Sequence, residues 1–298
     1  MTALTRDPRT QFARTVTDLL DEDLSTALVI AEISARFFGA AFRRHPDRAL
    51  NVGIREQLLV NVGAGMALTG MRPIVHTFGT FLVERAFEQV KLGFGHQGVG
   101  GVLVGVGGSF DASTAGRTHQ APGDVALIDT LPDVVIHAPG TVAETDEVLR
   151  AAVAADGLHY VRVVEQTNTE SFAGAGLHVV RRGAGATVVA LGPVLDEVLA
   201  ATTHRDVTVA YAHTVRPFDG PALRRLLVTP DVVLVEPWLA GTSARSVADA
   251  LTDVPHRLLA LGTRRSEVRH YGTPAEHQRA HGLDAAGIRR SLDAFLAA

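Results

Sequence analysis

Short, almost continuously apolar runs recur along the chain, and stretches with helical spacing of apolar residues lie between them. Residues 27–31, 101–106 and 187–191 are runs of the first kind. Residues 10–20 are of the second, with Phe12, Val16, Leu19 and Leu20 on one face. This alternation predicts parallel sheets covered by helices on both faces. In order, the pattern predicts a helix over 10–20, a strand over 27–31, a turn at 46–48 and a helix over 55–68. Gly63 and Gly65 lower the propensity of that last helix and imply a close packing partner. Strand 73–76, helix 81–92, strand 101–106, helix 124–131, strand 134–138, helix 142–155 and strand 160–164 follow. Residues 167–185 are mostly polar and contain Gly174, Gly176, Gly183 and Gly185, which reads as a linker. A second unit follows, with strands over 187–191, 207–212, 232–236 and 257–261 and helices over 194–203, 221–227 and 243–251. Two tail helices, 274–279 and 285–296, are separated by Gly282-Leu283-Asp284, a stop and an N-cap. The expected fold class is α/β, two consecutive domains over 1–178 and 186–298, each a mostly parallel sheet covered by helices.

Composition narrows the function classes. The chain has 298 residues, 46% hydrophobic and 20% charged, enough to fill two cores. A net charge of −4 and a pI near 6.3 give no reason to expect nucleic acid or an acidic membrane as partner. The absence of cysteine excludes disulfides, thiolate nucleophiles and zinc–thiolate sites. No apolar leader follows Met1, and no uninterrupted apolar run reaches about 18 residues, so the expected location is cytoplasmic.

Three groups of residues carry candidate chemistry. Glu56 opens the helix expected over 55–68, where the helix dipole favours a carboxylate and burial raises the carboxyl pKa, the setting for acid/base work. Phe78, Phe81 and Phe87 crowd into a short stretch of a chain that is only 5% aromatic; phenylalanines are usually core residues, but Phe81 and Phe87, six apart around a turn that starts a helix, could flank a planar heterocycle. His119 ends a loop containing Gly107, Gly108 and Gly116, at the carboxyl edge of the strand before it, where open α/β sheets bind ligands. His137 is expected to face the core from its strand. His204, His256, His277 and His281 are expected on the surface. No metal-ligand pattern, dinucleotide fingerprint or P-loop is present, so no metal site is expected within the chain. Arg216, His270 and Glu276 are polar residues without an assigned role, and the second domain carries no obvious chemistry, so its expected role is dimer packing.

With these residues placed, the chain resembles the C-terminal half of the transketolase family. The resemblance rests on Asn51-Val52-Gly53-Ile54-Arg55-Glu56-Gln57, Thr77-Phe78-Gly79-Thr80-Phe81, Thr118-His119-Gln120, the proline-ended strand 131–139 and Thr214-Val215-Arg216-Pro217-Phe218-Asp219. It implies a pyrimidine-binding domain followed by the family's C-terminal α/β domain, with thiamine diphosphate as cofactor. The domain that holds the diphosphate and Mg²⁺ has no counterpart here. The resemblance therefore implies a split enzyme with a separate N-terminal subunit, as a heterotetramer with two of each chain. Glu56 matches the acid that contacts the aminopyrimidine ring nitrogen. Phe78, Phe81 and Phe87 match aromatics around that ring, and His119 matches a histidine that contacts substrate oxygens.

The chain also departs from the family. Ser113-Thr114-Ala115-Gly116 replaces a loop whose acid binds a substrate hydroxyl, and Gly107 stands for a histidine that contacts sugar phosphate. Glu165 stands near a phosphate-binding arginine, for which Arg162 is a candidate replacement. The implied reaction is transfer of a two-carbon ketol unit from a ketose donor to an atypical aldehyde or carrier acceptor. A 2-oxo acid decarboxylating synthase, a dehydrogenase E1β-like component and a non-catalytic regulatory subunit remain open.

Overall fold

A computed structural model of the chain describes residues 7–269 and 271–298. The first helix, α1 (Pro8–Glu22), begins where Asp7 accepts hydrogen bonds from the backbone N–H groups of Arg9 and Thr10. Phe12, Val16, Leu19 and Leu20 form its buried face. β1 (Thr26–Ile30) is buried at every position, as a strand covered on both sides must be. α2 (Gly39–Arg44) and β2 (Ala49–Asn51) lead to α3 (Glu56–Leu68) and β3 (Arg72–Phe78). The helix expected over 81–92 is instead two π-helical segments, Thr80–Arg85 and Val90–His96, flanking a single turn, α4 (Phe87–Gln89). Apolar spacing cannot separate α from π windings, and π segments recur at functional sites because they re-aim side chains.

β4 (Gly101–Val106), α5 (Asp124–Ile128), β5 (Val135–His137), α6 (Val142–Ala154) and β6 (Leu158–Val163) complete the first unit. The second unit holds β7 (His178–Arg181), β8 (Thr187–Leu191), α7 (Leu195–Ala201), β9 (Thr208–Ala212), β10 (Thr214–Arg216) and α8 (Gly220–Leu226). β11 (Asp231–Leu239), α9 (Ala244–Ala250), β12 (Arg257–Thr263), α10 (Pro274–His281) and α11 (Ala285–Ala297) follow. The strands form a seven-stranded sheet in the order β10-β5-β6-β4-β3-β1-β2 and a five-stranded sheet in the order β12-β11-β8-β9-β7. All neighbours are parallel except β10 on β5 and β7 on β9.

Both exceptions lie where the polar pattern predicted no strand. β7 falls inside the stretch read as a linker. It is an edge strand, half-exposed along its length, so it lacks the apolar run of a central strand. β10 comes from the second half of the chain yet completes the edge of the first sheet. A single core cluster accordingly runs from Leu59 and Val75 through Tyr160 to Leu191 and the fully buried Trp238.

Two of the three polar residues without an assigned role, Arg216 and Glu276, find structural ones. Arg216 lies 2.7 and 2.8 Å from the two carboxylate oxygens of Asp129, tying β10 to the segment after α5. Glu276 completes a capping box with Thr273 at the start of α10, and Gly282 and Asp284 stop α10 and cap α11 as expected. His270 lies outside the described residues. His277 and His281 are not on the surface: both are buried and stack against Phe110, because α10 packs toward the first unit's loop. His137 is buried as expected, and burial, with His159 and His213 adding to it, lowers its pKa to about 3. Among the described residues no helix is long and apolar enough to cross a membrane.

The two glycines of α3 separate cleanly. A Cβ at Gly63 would come within 2.4 Å of Val75 Cγ2 on β3, whereas a Cβ at Gly65 meets nothing within 4 Å. Gly63→Ala is therefore expected to destabilise the fold by about 1–3 kcal/mol through overpacking. Gly65→Ala is expected to stabilise it by roughly 0.5–1 kcal/mol through helix propensity. Urea denaturation of the two variants checks both signs.

Candidate active site

The site forms at the carboxyl edge of the seven-stranded sheet. Phe78 is the last residue of β3, and Gly107 directly follows β4. Glu56 is the first residue of α3, where the unpaired N–H groups of the first turn favour a carboxylate. Glu56 is 1% exposed. Arg85 donates from Nη1 to Glu56 Oε2 at 2.7 Å, while Oε1 is buried without a hydrogen-bond partner. An acceptor left in that state costs about 1–3 kcal/mol unless something donates to it.

The π-helical segment aims Phe81 and Arg85 to the same side. The Arg85 guanidinium carbon lies 4.0 Å from the centroid of the Phe81 ring. Phe81 packs edge-on against His119 at 5.0 Å, Phe78 packs against His119 at 5.3 Å, and Phe78 and Phe81 lie 5.9 Å apart. Glu56, Arg85, Phe81, His119 and Phe78 thus form one continuous run of contacts. Phe87 is not part of the ring cluster. It sits half-buried against the large core, since the break at Ala86 turns it away from Phe81. The sequence placed four of these residues; Arg85 was missed, and its position four residues after Phe81 on a helical segment was the available signal.

His119 sits on a pinned loop. Ser109 and Ala121 close the loop at its base through paired backbone hydrogen bonds of 3.0 and 2.8 Å. Two short 3₁₀ turns, Ser113–Ala115 and Arg117–His119, shape it, and Thr118 Oγ1 lies 3.0 Å from His119 Nδ1. That contact leaves Nε2 for a ligand. The base is locked by Arg162, which donates from Nη2 to Ser109 Oγ at 2.6 Å and from Nε to Asp124 Oδ2 at 2.8 Å. Tyr160 donates to the same Asp124 oxygen at 2.9 Å, and burial together with Asp124 raises the phenol pKa well above its usual value. Ser109 Oγ also donates to the carbonyl of Pro237 on β11. Arg162, read as a candidate replacement for a phosphate ligand, is instead a buried cation whose Nε and Nη2 are committed to Asp124 and Ser109.

The second unit holds the far side of the same loop. Gly116 has φ +79°, and a Cβ there would approach Tyr271 Cε1 to 2.8 Å, so only a glycine lets the tyrosine ring lie against it. Arg117 pairs with Glu267 at 3.3 Å, and Ser113 Oγ donates to Gly272 O at 3.3 Å. The second unit thus contacts the histidine-bearing loop directly, which its sequence did not disclose. Among the described residues no group of three or more His, Cys, Asp or Glu could hold a metal ion.

The two α/β units, with a buried glutamate facing an aromatic–histidine cluster at a parallel sheet's carboxyl edge, define a cofactor-binding fold of the pyrimidine-domain type. The family model "Transketolase, pyrimidine binding domain" matches residues 7–169, and the chain belongs to the transketolase family, whose enzymes depend on thiamine diphosphate. It is 46% identical over 296 residues to the "Uncharacterized 33.6 kDa protein in fasciation locus" of Rhodococcoides fascians, covering 97% of this chain and 95% of that one. It is 32% identical over 270 residues to the 1-deoxy-D-xylulose-5-phosphate synthase of Alkalilimnicola ehrlichii, covering 85% of this chain but only 42% of the synthase. The solved structure described as "Split gene transketolase, inactive beta4 tetramer" superposes with a TM-score of 0.84 at 23% identity, covering 97% of this chain and 98% of that one. The expected α/β architecture is thereby met over the described residues.

Asp124→Ala is expected to cost about 3–5 kcal/mol, because it strands the buried Arg162 charge without a counter-ion. Chemical denaturation measures the loss. Proteolysis should cut first within residues 109–121, since the base of that loop hangs on Arg162.

Proposed function

We propose that the chain is one subunit of a thiamine diphosphate-dependent, transketolase-like transferase. In this reading it moves a two-carbon ketol unit from a ketose donor to an aldehyde or carrier acceptor. The observation that carries the reading is the buried, unpartnered Oε1 of Glu56 beside the Phe78–Phe81–His119 cluster. A planar, nitrogen-bearing ring answers both needs, since its nitrogen can meet Oε1 while its faces and edges meet the phenylalanines.

Thiamine diphosphate, when bound, supplies an acidic thiazolium carbon and an electron sink for carbon–carbon bond cleavage. Glu56 holds the aminopyrimidine ring nitrogen through Oε1 and exchanges a proton there. Arg85 fixes the carboxylate through Oε2, so that Oε1 is the oxygen left for the cofactor. Phe78 and Phe81 exclude water from the site, and Phe87, turned into the core, takes no part in this wall. His119 presents Nε2 to substrate oxygens and holds or moves a proton at them.

The diphosphate and Mg²⁺ are assigned to a separate N-terminal subunit, in a heterotetramer with two of each chain. The split-gene transketolase structure supports a divided enzyme, since this chain matches that protein over nearly its full length. The proposed domain division is 1–178 and 186–298, with β7 at its boundary pairing into the second sheet and β10 reaching back to the first. A second reading, a 2-oxo acid decarboxylating synthase, is favoured by the 32% identity to a deoxyxylulose-phosphate synthase.

Calorimetric titration of thiamine diphosphate with Mg²⁺ into the chain alone and into its mixture with a subunit bearing a Gly-Asp-Gly…Asn motif tests the proposal. Binding is expected only in the mixture. Glu56→Gln is then expected to lower kcat of the reconstituted enzyme by about 10²–10⁴-fold. Unchanged activity in that variant would sink the assigned role, and CO₂ release from pyruvate would select the synthase reading.

A further inference from the structure

A cavity of about 340 Å³ opens between the His119 loop and the carboxyl end of β12. Arg117, Gln120 and Pro122 of the loop line it, and so do Arg264, Arg265 and His281 of the second unit. Glu56, Phe78, Phe81 and His119 do not, so it is separate from the ring cluster.

Two neutral side chains, nearly buried, bring donors to this cavity. His281 is 6% exposed and stacks on Phe110 at 5.8 Å, which fixes its ring plane. Its Nδ1 accepts the backbone N–H of Arg264 at 3.2 Å, so the neutral ring carries its proton on Nε2. Burial, then His277 and Arg264, lower the His281 pKa, and the ring is neutral at neutral pH. Gln120 is equally enclosed, and its amide nitrogen is buried without an acceptor. Folded chains normally pair such a donor.

The charges around these donors are mostly positive. Arg117 is spoken for: it pairs with Glu267 at 3.3 Å, and its Nη1 reaches the Gln120 carbonyl at 3.4 Å. Arg264 and Arg265 are exposed, and neither has a carboxylate partner among the described residues. Glu84 is the other carboxylate on the wall. Partial burial raises its pKa, against the Thr80 hydroxyl and Arg117, and this weakens its negative charge. A cation would therefore meet two uncompensated guanidiniums, and a neutral guest would leave both unused. A carboxylate has only two oxygens for two guanidiniums, an imidazole N–H and an amide. A phosphate group offers more acceptor oxygens and suits the forked guanidinium geometry.

We infer that this cavity binds a small phosphate-bearing anion, and that its occupant ties the His119 loop to the second unit. Arg264, Arg265 and His281 hold the anion from the second unit, and Gln120 holds it from the loop. It is an effector site, since no ring or acid of the proposed chemistry lines it. The inference rests on the loop's surroundings and does not require the ketol-transfer reading.

Residue-resolved NMR on the full chain tests the site, with inorganic phosphate, glycerol 3-phosphate and glycerol as probes in chloride of matched ionic strength. Both phosphates are expected to give saturable shifts at residues 117–123 and 263–268, and glycerol none. Arg264→Ser combined with Arg265→Ser, both at exposed positions, is expected to weaken that binding at least about tenfold. Tighter binding of the ester would assign the cavity to a phosphorylated metabolite, and equal binding to free phosphate. A bound anion favours the imidazolium, so the His281 ring should titrate at higher pH with phosphate than without it. Phosphate at roughly ten times its Kd should also slow proteolysis within residues 109–121 about tenfold. The inference fails if neither phosphate gives saturable shifts there, if the double variant binds as tightly as the wild type, or if cleavage of the loop is unchanged. Should the double variant misfold, the wild-type His281 titration carries the test, and an unmoved pKa overturns the site. None of these readouts involves turnover, so loss of the ketol-transfer reading would leave them standing.

Discussion

The site depends first on a buried charge pair. Asp124 and Arg162 are both fully enclosed, and their carboxylate–guanidinium contact of 2.8 Å is supported by the phenol of Tyr160. Such a pair is costly to desolvate and gains little net stability over apolar packing, but it is very costly to break. Its value here is positional. Arg162 reaches Ser109, and Ser109 reaches the carbonyl of Pro237, so one guanidinium joins β6, α5, the base of the His119 loop and β11. A hydrophobic replacement could fill the same volume but could not fix the loop's register.

From that anchor the loop extends between two supports. Its base belongs to the first sheet, and its outer turn rests on Tyr271, Gly272 and Glu267 of the second unit. Arg216 and Asp129 add a third tie between the units, at the edge where β10 joins the first sheet. The second unit is therefore more than a packing appendage: through these contacts it helps set where His119 stands relative to Phe78 and Phe81.

Much of this was legible in the residues. Central strands such as β1, β4 and β8 are short apolar runs because both faces are buried, and the sequence shows that directly. Glu56, Phe78, Phe81 and His119 stood out as chemistry-bearing types in unusual local settings, and the fold brings the four together. What escaped was whatever depends on pairing across the chain. β7 and β10 are edge strands whose polarity reflects partial exposure or brevity, and no local pattern reveals their partners. The partnership of Arg85 with Glu56 spans 29 residues and needs a π winding to form. Phe87 departs from the ring cluster for the converse reason: spacing near Phe81 suggested proximity, but the backbone break at Ala86 directs it to the core.

The remaining tension lies in Glu56. A buried carboxylate normally satisfies both oxygens within its own chain, because an unpaired buried acceptor destabilises the fold. Here Arg85 serves one oxygen, and the other is left without a donor at the same edge where Phe78 and His119 expose their rings. Extra stabilisation was within reach: a serine or threonine on a neighbouring turn could have donated to Oε1. Leaving that acceptor unpaired is unfavourable for the isolated chain and favourable only when something outside it donates. Oε1 is thus the oxygen through which Glu56 would hold the ring of the proposed cofactor.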